Sequence, residues 1–340
     1  MIDRSLEVLS IIPFSDAQQA QLQAVAPHIH LTVLAVRRPD EVPADIWART
    51  EVLYTDRILP GLTQAPNLKW IQFHFAGIDF AVDSPFIRKS GVAVTHLSGA
   101  AVPQMAEYIL MMLLALGHRL PEAMANQLRS EWPRDRWERF APRELRGSTV
   151  GLVGYGSINR EVARLLRSFQ VTLLAAKRDA MHPEDQGYSL PGLGDPDGHF
   201  FDRLYPYQAL KSMFKDCDFV VVTLPLTLLT RNMIGAAELA AMKPGAYLIQ
   251  SGRGGVVDQA ALVEALQEKR IAGAALDTFS EEPLPPASPL WKLPNVLLTP
   301  HIGSISPNYL QRAVDLFATN LKHYALGETL LNRVDLELGY

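Results

Sequence analysis

The stretch Val150 to Asn159, V-G-L-V-G-Y-G-S-I-N, constrains this chain more than any other. Thr149 to Val153 is a β-branched and apolar run suited to a buried parallel strand, Gly154-Tyr155-Gly156 forms a tight turn, and Ile158 to Phe169 has helical spacing. A strand, a glycine turn and a helix in that order bring backbone close to a pyrophosphate. The helix N-terminus offers that group unpaired N–H donors and the positive end of a dipole. The expected ligand is a dinucleotide. The usual G-x-G-x-x-G ends here in Asn159. Its third glycine serves helix–strand packing and the first two serve the turn and the phosphate, so the departure weakens the packing argument more than the binding argument.

At 340 residues the chain exceeds one typical domain, so two are expected. A net charge of -4 and a hydrophobic content of 48% demand neither nucleic acid nor membrane. Cys217 stands alone and opens the apolar run Phe219 to Val222, which predicts a buried structural thiol. The N-terminal apolar stretch is too short for a signal peptide, and no run approaches a membrane span. Cytoplasm is the expected location.

Short apolar strands alternate with helices from Leu6 onward, which predicts an α/β fold with parallel sheets. Strands are expected at Leu6 to Ile12, Ile29 to Ala35, Glu51 to Tyr54, Lys69 to Phe73 and Val92 to Thr95, with a helix over Ser15 to Ala26. Val102 to Leu116 is apolar nearly all round, so it is expected to be buried between domains or against a second subunit. From Arg129 to Gly147, arginines are interleaved with Trp132, Trp137 and acidic residues, which favours a solvated connector or a subunit contact over a nucleic-acid patch.

Beyond the glycine turn, Val171 to Ala176 reads as a strand ending in Lys177-Arg178-Asp179. An acid at that tip usually meets the ribose 2′-hydroxyl of NAD, whereas basic residues accommodate a 2′-phosphate. Lys177 and Arg178 therefore favour NADP(H), with NAD(H) the alternative if Asp179 is the acid. Met181 to Tyr207 reads as a long loop, and its Asp195-Pro196-Asp197-Gly198 as a turn rather than a calcium loop. Later strands run into Leu224-Pro225, Ser251-Gly252-Arg253, Asp277 and Thr299-Pro300-His301. All should meet at the carboxyl edge of the sheet, where open α/β folds bind ligands.

Arg253, Glu282 and His301 beside a nicotinamide suit interconversion of a 2-oxo acid and a 2-hydroxy acid. The planar guanidinium can hold a carboxylate and polarise the adjacent carbonyl. His301 can donate a proton to the oxygen as hydride reaches carbon, while Glu282 stabilises the imidazolium.

In four motifs the sequence resembles the D-isomer-specific 2-hydroxyacid dehydrogenases: G-Y-G-S-I-N at 154–159, S-G-R-G-G-V-V-D at 251–258, L-D-T-F-S-E-E-P-L-P at 276–285 and T-P-H-I-G-S at 299–304. Within that family, Q-M-A-E-Y-I-L at 104–110 and the basic strand tip look most like the glyoxylate/hydroxypyruvate reductases. The resemblance implies that Arg253 binds the substrate carboxylate and carbonyl, that His301 is the general acid/base and that Glu282 is its partner. It places Phe75, Ala76 and Gly77 at the substrate carboxylate, Asp277 at the nicotinamide carboxamide and Leu224-Pro225 on the adenine side. Tyr155, Ser157 and Ile158 would join Gly154 and Gly156 around the phosphates, with Ser251 and Gly252 nearby. It further implies a Rossmann nucleotide-binding domain, 103–299, inserted in a flavodoxin-like substrate domain, 1–102 and 300–340, and a homodimer built on the crossover helix region. Phe75 stands where the family commonly has glycine and His96 where it commonly has Asn. Both departures bear on substrate identity. Two other functions remain: an NAD-dependent dehydrogenase of a larger D-2-hydroxy acid, and a nucleotide-sensing binding protein resembling the corepressors of this fold.

Overall fold

The parallel strands expected from the sequence form two separate sheets. The computed structural model describes residues 5–185 and 187–340, apart from the side chain of Lys89. The chain divides into one unit that runs to Ala101 and resumes over Ser306–Tyr340, and a second that spans Val102–Ile305.

The first unit has strands β1 (Leu6–Ser10), β2 (Ile29–Val33), β3 (Val52–Thr55), β4 (Trp70–Phe73) and β5 (Ala93–Thr95). Their order is β2-β1-β3-β4-β5, and every pairing is parallel. This is the flavodoxin-like order. Helices α1 (Asp16–Gln23), α2 (Ala44–Arg49) and α3 (Pro85–Ser90) intervene. Ser15 starts α1 through a capping box: its hydroxyl accepts the Gln18 N–H, and the Gln18 side chain accepts the Ser15 N–H. Successive strand residues face opposite layers. Leu53, Ile71 and Phe73 pack with Trp47 and Ile87 on one side, while Tyr54 and Trp70 meet Phe317 of the C-terminal helix, Tyr309–Leu326, at 4.7 and 5.5 Å. The buried polar groups are paired: Thr95 Oγ1 accepts from Trp70 and donates to Gln72, whose Oε1 also accepts from Asn320.

The second unit begins with helices α4 (Val102–Gly117), α5 (Leu120–Leu128) and α6 (Arg136–Arg139). Then come β6 (Thr149–Val153), α7 (Ser157–Leu166), β7 (Thr172–Lys177), β8 (Arg203–Pro206), α8 (Leu210–Phe214), β9 (Phe219–Val222) and α9 (Ala236–Ala240). β10 (Tyr247–Gln250), α10 (Gln259–Gln267), β11 (Gly273–Leu276) and β12 (Val296–Leu298) complete it. The sheet order is β12-β11-β10-β9-β6-β7-β8, all parallel. Strand β9 shows why these runs read as continuously apolar. Val220 and Val222 pack into one layer with Met213 and Leu248, and Phe219 and Val221 into the other with Leu113 and Leu166.

Several expectations shift. Helix α4 is buried along one face, where Ile109, Met112, Leu113 and Leu116 pack against α7 and the sheet of their own unit, while Met111 is exposed. Among the described residues of the Met181–Tyr207 stretch, which leave out Gln186, Arg203–Pro206 departs from a loop and pairs with β7 as an edge strand. The helix expected over Ile158–Phe169 is α7 followed by a 3-10 turn, Arg167–Phe169. Cys217 is buried as expected, and burial pushes its thiol up to about 12.

Candidate active site

In the second unit the chain leaves β6 toward β7 and β8, then returns to β9 on the opposite side of β6. A crevice opens at such a switch point, and the glycine turn lies there. Gly154 has φ +89°, and a Cβ on it would lie 2.8 Å from Leu224 Cδ2, so both backbone and space require glycine. Gly156 caps α7, and a Cβ placed on it would meet nothing within 4 Å. That open space at the amide end of a helix fits a phosphate. Ser157 and Ile158, half-buried, supply the next amides. Asn159 replaces the third glycine with two hydrogen bonds: its buried Nδ2 donates to the carbonyls of Val153 at 3.3 Å and Gly154 at 3.1 Å. The helix is thereby tied to the strand end by an amide instead of by close approach. Ser251 Oγ, at the end of β10, is buried and has no hydrogen-bond partner among the described residues, a vacancy that a polar ligand would fill.

Tyr155 is held differently from its neighbours. Its side chain is buried, its hydroxyl donates to Asp195 Oδ2 at 2.6 Å, and its ring lies under the Arg160 guanidinium at 4.8 Å. Only its backbone faces the turn's function. Burial and the Asp195 carboxylate keep the phenol protonated. Asp195 also accepts from the His199 and Phe200 amides, which makes 195–198 a turn as expected. Among the described residues no group of acids, histidines or cysteines is arranged to hold a metal.

At the tip of β7, Lys177 Nζ donates to the carbonyls of His182 and Glu184, the latter at 3.0 Å. Desolvation, followed by the Arg160 charge, lowers the ammonium's pKa. Arg178 and Asp179 are exposed beside it. Asp179 Oδ1 accepts the Met181 N–H at 3.0 Å, and its Oδ2 pairs with His182 Nδ1 at 2.7 Å.

A series of close backbone approaches links the glycine turn to the catalytic candidates. A Cβ on Gly252 would lie 2.5 Å from the Leu224 carbonyl oxygen, and one on Gly254 would lie 1.9 Å from Phe279. The loop bearing Arg253 is thus pressed between the Leu224-Pro225 segment and the turn bearing Glu282. Arg253 is half-buried. Gln250, buried at the end of β10, donates from Nε2 to the carbonyls of Arg253 at 3.1 Å and Gly254 at 3.2 Å. Glu282 Oε1 accepts the Phe279 N–H at 2.9 Å, and Oε2 lies 2.8 Å from His301 Nδ1. Both His301 and Glu282 remain partly exposed, which leaves the imidazole edge accessible.

Asp277 performs a task not foreseen from the sequence. It is 1% exposed, and its Oδ1 accepts from the Thr299 hydroxyl at 2.7 Å and the Ile302 amide at 2.9 Å, while Oδ2 accepts the Gly303 amide at 2.9 Å. The carboxylate clamps the loop on both sides of His301, whose φ is 54°. Gln250 and Asp277 are the supporting residues that motif reading misses or reads in another role. Both are buried polar side chains at strand ends, and that position is the signal that could have exposed them.

Phe75, Ala76 and Gly77 follow β4 at the carboxyl edge of the first unit's sheet. Phe75 and Ala76 are exposed. His74, just before them, is hydrogen bonded through Nδ1 to Tyr54 Oη at 2.7 Å, and its carbonyl accepts from Tyr309 Oη at 2.6 Å. Burial lowers its pKa to about 4; His96, whose Nδ1 accepts the Ser98 amide, is lowered to about 4 for the same reason.

Comparison with known proteins agrees with this geometry. Residues 110–303 match the family described as D-isomer specific 2-hydroxyacid dehydrogenase, NAD binding domain. A glyoxylate reductase of Thermofilum pendens is 38% identical over 81% of this chain and 78% of its own length, and one of Thermococcus litoralis is 34% identical over 84% and 83%. Among solved structures, a D-isomer specific 2-hydroxyacid dehydrogenase of Xanthobacter autotrophicus in complex with NADPH and MES superposes with a TM-score of 0.80, at 28% identity over 99% of this chain and all of its own. An NADPH-dependent glyoxylate/hydroxypyruvate reductase of Sinorhizobium meliloti, in complex with NADP and sulfate, gives 0.78 at 25% identity over 99% and 100%. Among the described residues no helix is long and apolar enough to cross a membrane. With two parallel-sheet units, a dinucleotide turn and a histidine–carboxylate pair at the sheet edge, the chain belongs to the D-isomer specific 2-hydroxyacid dehydrogenases, oxidoreductases that use a nicotinamide cofactor.

Proposed function

We propose that the protein reduces a small 2-oxo acid of the glyoxylate or hydroxypyruvate type to the D-2-hydroxy acid, with NADPH as the favoured donor and NADH as the alternative. The observation that carries this reading is the 2.8 Å contact of His301 with Glu282, on a turn against which the Arg253 loop is packed. Glu282 accepts from Nδ1 of His301, which directs the Nε2 proton to the substrate oxygen. Arg253 holds the carboxylate and polarises the carbonyl with its planar fork. When bound, the nicotinamide supplies the hydride. Two cations around the developing alkoxide stabilise it beyond the proton transfer itself.

In this reading Gly154, Tyr155, Gly156, Ser157 and Ile158 hold the phosphates through backbone, and Ser251, Gly252, Leu224 and Pro225 line the cofactor's path. The Asp277 carboxylate has one lone-pair position beyond its three loop contacts for the nicotinamide carboxamide. The backbone at Phe75, Ala76 and Gly77 receives the substrate carboxylate. Preference for NADPH is supported by Asp179, both of whose oxygens are engaged within their own turn, and by the cations Lys177 and Arg178. Lys177 contributes charge rather than a direct contact, because its ammonium is engaged by carbonyls.

The nucleotide-binding domain, 103–299, is inserted in a substrate domain, 1–102 and 300–340. The functional form is a homodimer. Leu128, Trp132 and Trp137, at 87%, 81% and 78% exposure, form the surface that favours a subunit contact. A cytoplasmic location suits a chain whose one cysteine is a buried thiol.

The test is loss of nicotinamide absorbance with NADPH and with NADH against glyoxylate, hydroxypyruvate, pyruvate and a bulky aromatic 2-oxo acid. The proposal expects the small acids with NADPH to react fastest. Preference for NADH and the bulky acid would establish the larger-acid dehydrogenase instead, and cofactor binding without turnover would establish a nucleotide sensor.

A further inference from the structure

The segment between β7 and β8 is bonded to the nucleotide-binding elements at both ends. Arg160, in the first turns of α7 and 2% exposed, donates to the carbonyls of Asp195 and Pro183, and its Nε lies 3.5 Å from Asp185. Glu161 Oε2 accepts the Gly194 amide at 2.7 Å. The helix whose N-terminus faces the pyrophosphate therefore fixes Pro183, and with it the preceding residue, His182. From the other side, Lys177 at the end of β7 binds the His182 carbonyl. His182 is thus held at the strand tip, where the second strand of an open dinucleotide-binding sheet meets the adenosine ribose.

Its side chain is exposed, and Asp179 engages Nδ1. No hydrogen bond among the described residues uses Nε2. We propose, building on the NADPH reading above, that His182 is a further cofactor-binding residue whose Nε2–H, oriented by the Asp179 carboxylate, binds the 2′-phosphate of NADPH. Asp179 thereby takes a role opposite to that of a ribose-binding acid: it orients and charges a phosphate donor.

The groups facing the imidazole set the sign of its pH dependence. The hydrogen bond to Asp179 and that residue's charge raise its pKa, as does Glu184 more weakly, while desolvation and Lys177 oppose them. Arg178 and Asp185 lie among the neighbouring loop residues and Arg160 on α7. A raised imidazole keeps its proton to higher pH than a free one and loses it as pH rises further. Affinity for a 2′-phosphate falls with it. The phosphate's own second ionisation, near pH ~6, lies below the working range.

The experiment measures dissociation constants of the full chain for NADPH and NADH from pH 7 to 9, by quenching of protein fluorescence, for wild type, His182→Gln and Asp179→Asn. The expected result is a wild-type NADPH constant that weakens about three- to ten-fold across the range while the NADH constant stays flat. His182→Gln should show the weak NADPH constant at every pH with unchanged NADH binding, and Asp179→Asn should move the transition to lower pH. If His182→Gln keeps the wild-type NADPH constant and pH profile while NADPH is still preferred, the inference fails and the cofactor reading stands. Equal wild-type constants for NADPH and NADH at every pH would overturn both.

Discussion

At the scale of single residues, the catalytic candidate is held by partners that do not react. His301 has φ 54°, a region that non-glycine residues rarely enter and that surrounding contacts must enforce. Asp277 supplies those contacts through Thr299, Ile302 and Gly303. Gln250 does the same for the backbone of Arg253 and Gly254. Two other residues tie the first unit to pH. His74 and His96 are lowered to about 4 by burial, so the folded unit keeps them neutral while the unfolded chain protonates them near 6.5. The unfolded state then binds more protons, and stability falls as pH drops from about 6.5 toward 4. The urea midpoint should already be lower at pH 5 than at 7.5, and His74→Asn with His96→Asn should flatten that dependence. An equal midpoint at both pH values in wild type would contradict the burial argument.

At the scale of elements, the insertion between β7 and β8 depends on Arg160. Replacing it with Met leaves the Pro183 and Asp195 carbonyls without their donor, a loss of about 2–4 kcal/mol. Arg160→Met should lower the denaturation midpoint and accelerate amide exchange over 183–199, with β6 and β9 still protected. Unchanged exchange there would show that something else holds the segment. Little of this was legible in the sequence, because bonds from a buried arginine to distant carbonyls leave no periodic pattern. Arg203–Pro206 escaped as a strand for a related reason: an edge position tolerates an exposed Arg203 and a proline, so the apolar signal is lost. Asn159 shows the converse. A missing glycine read as weakened packing proves to be an amide that bonds helix to strand.

At the scale of the whole molecule, both sheets were legible, since their strands are near-continuous apolar runs at the spacing of alternating strands and helices. The four motifs around 154, 253, 282 and 301 were legible because each follows a strand, and parallel strands deliver all their carboxyl ends to one edge. Register and loop contacts were not, because they depend on which strands become neighbours. β10, β11 and β12 do, and that order sets the arginine, aspartate and histidine loops side by side. If His301 delivers the proton in reduction of a 2-oxo acid, His301→Asn removes that proton and leaves cofactor binding intact. NADPH oxidation by glyoxylate should then fall about 10²–10⁴-fold at neutral pH while the NADPH dissociation constant stays within about two-fold of wild type. Turnover within a few-fold of wild type would contradict that role.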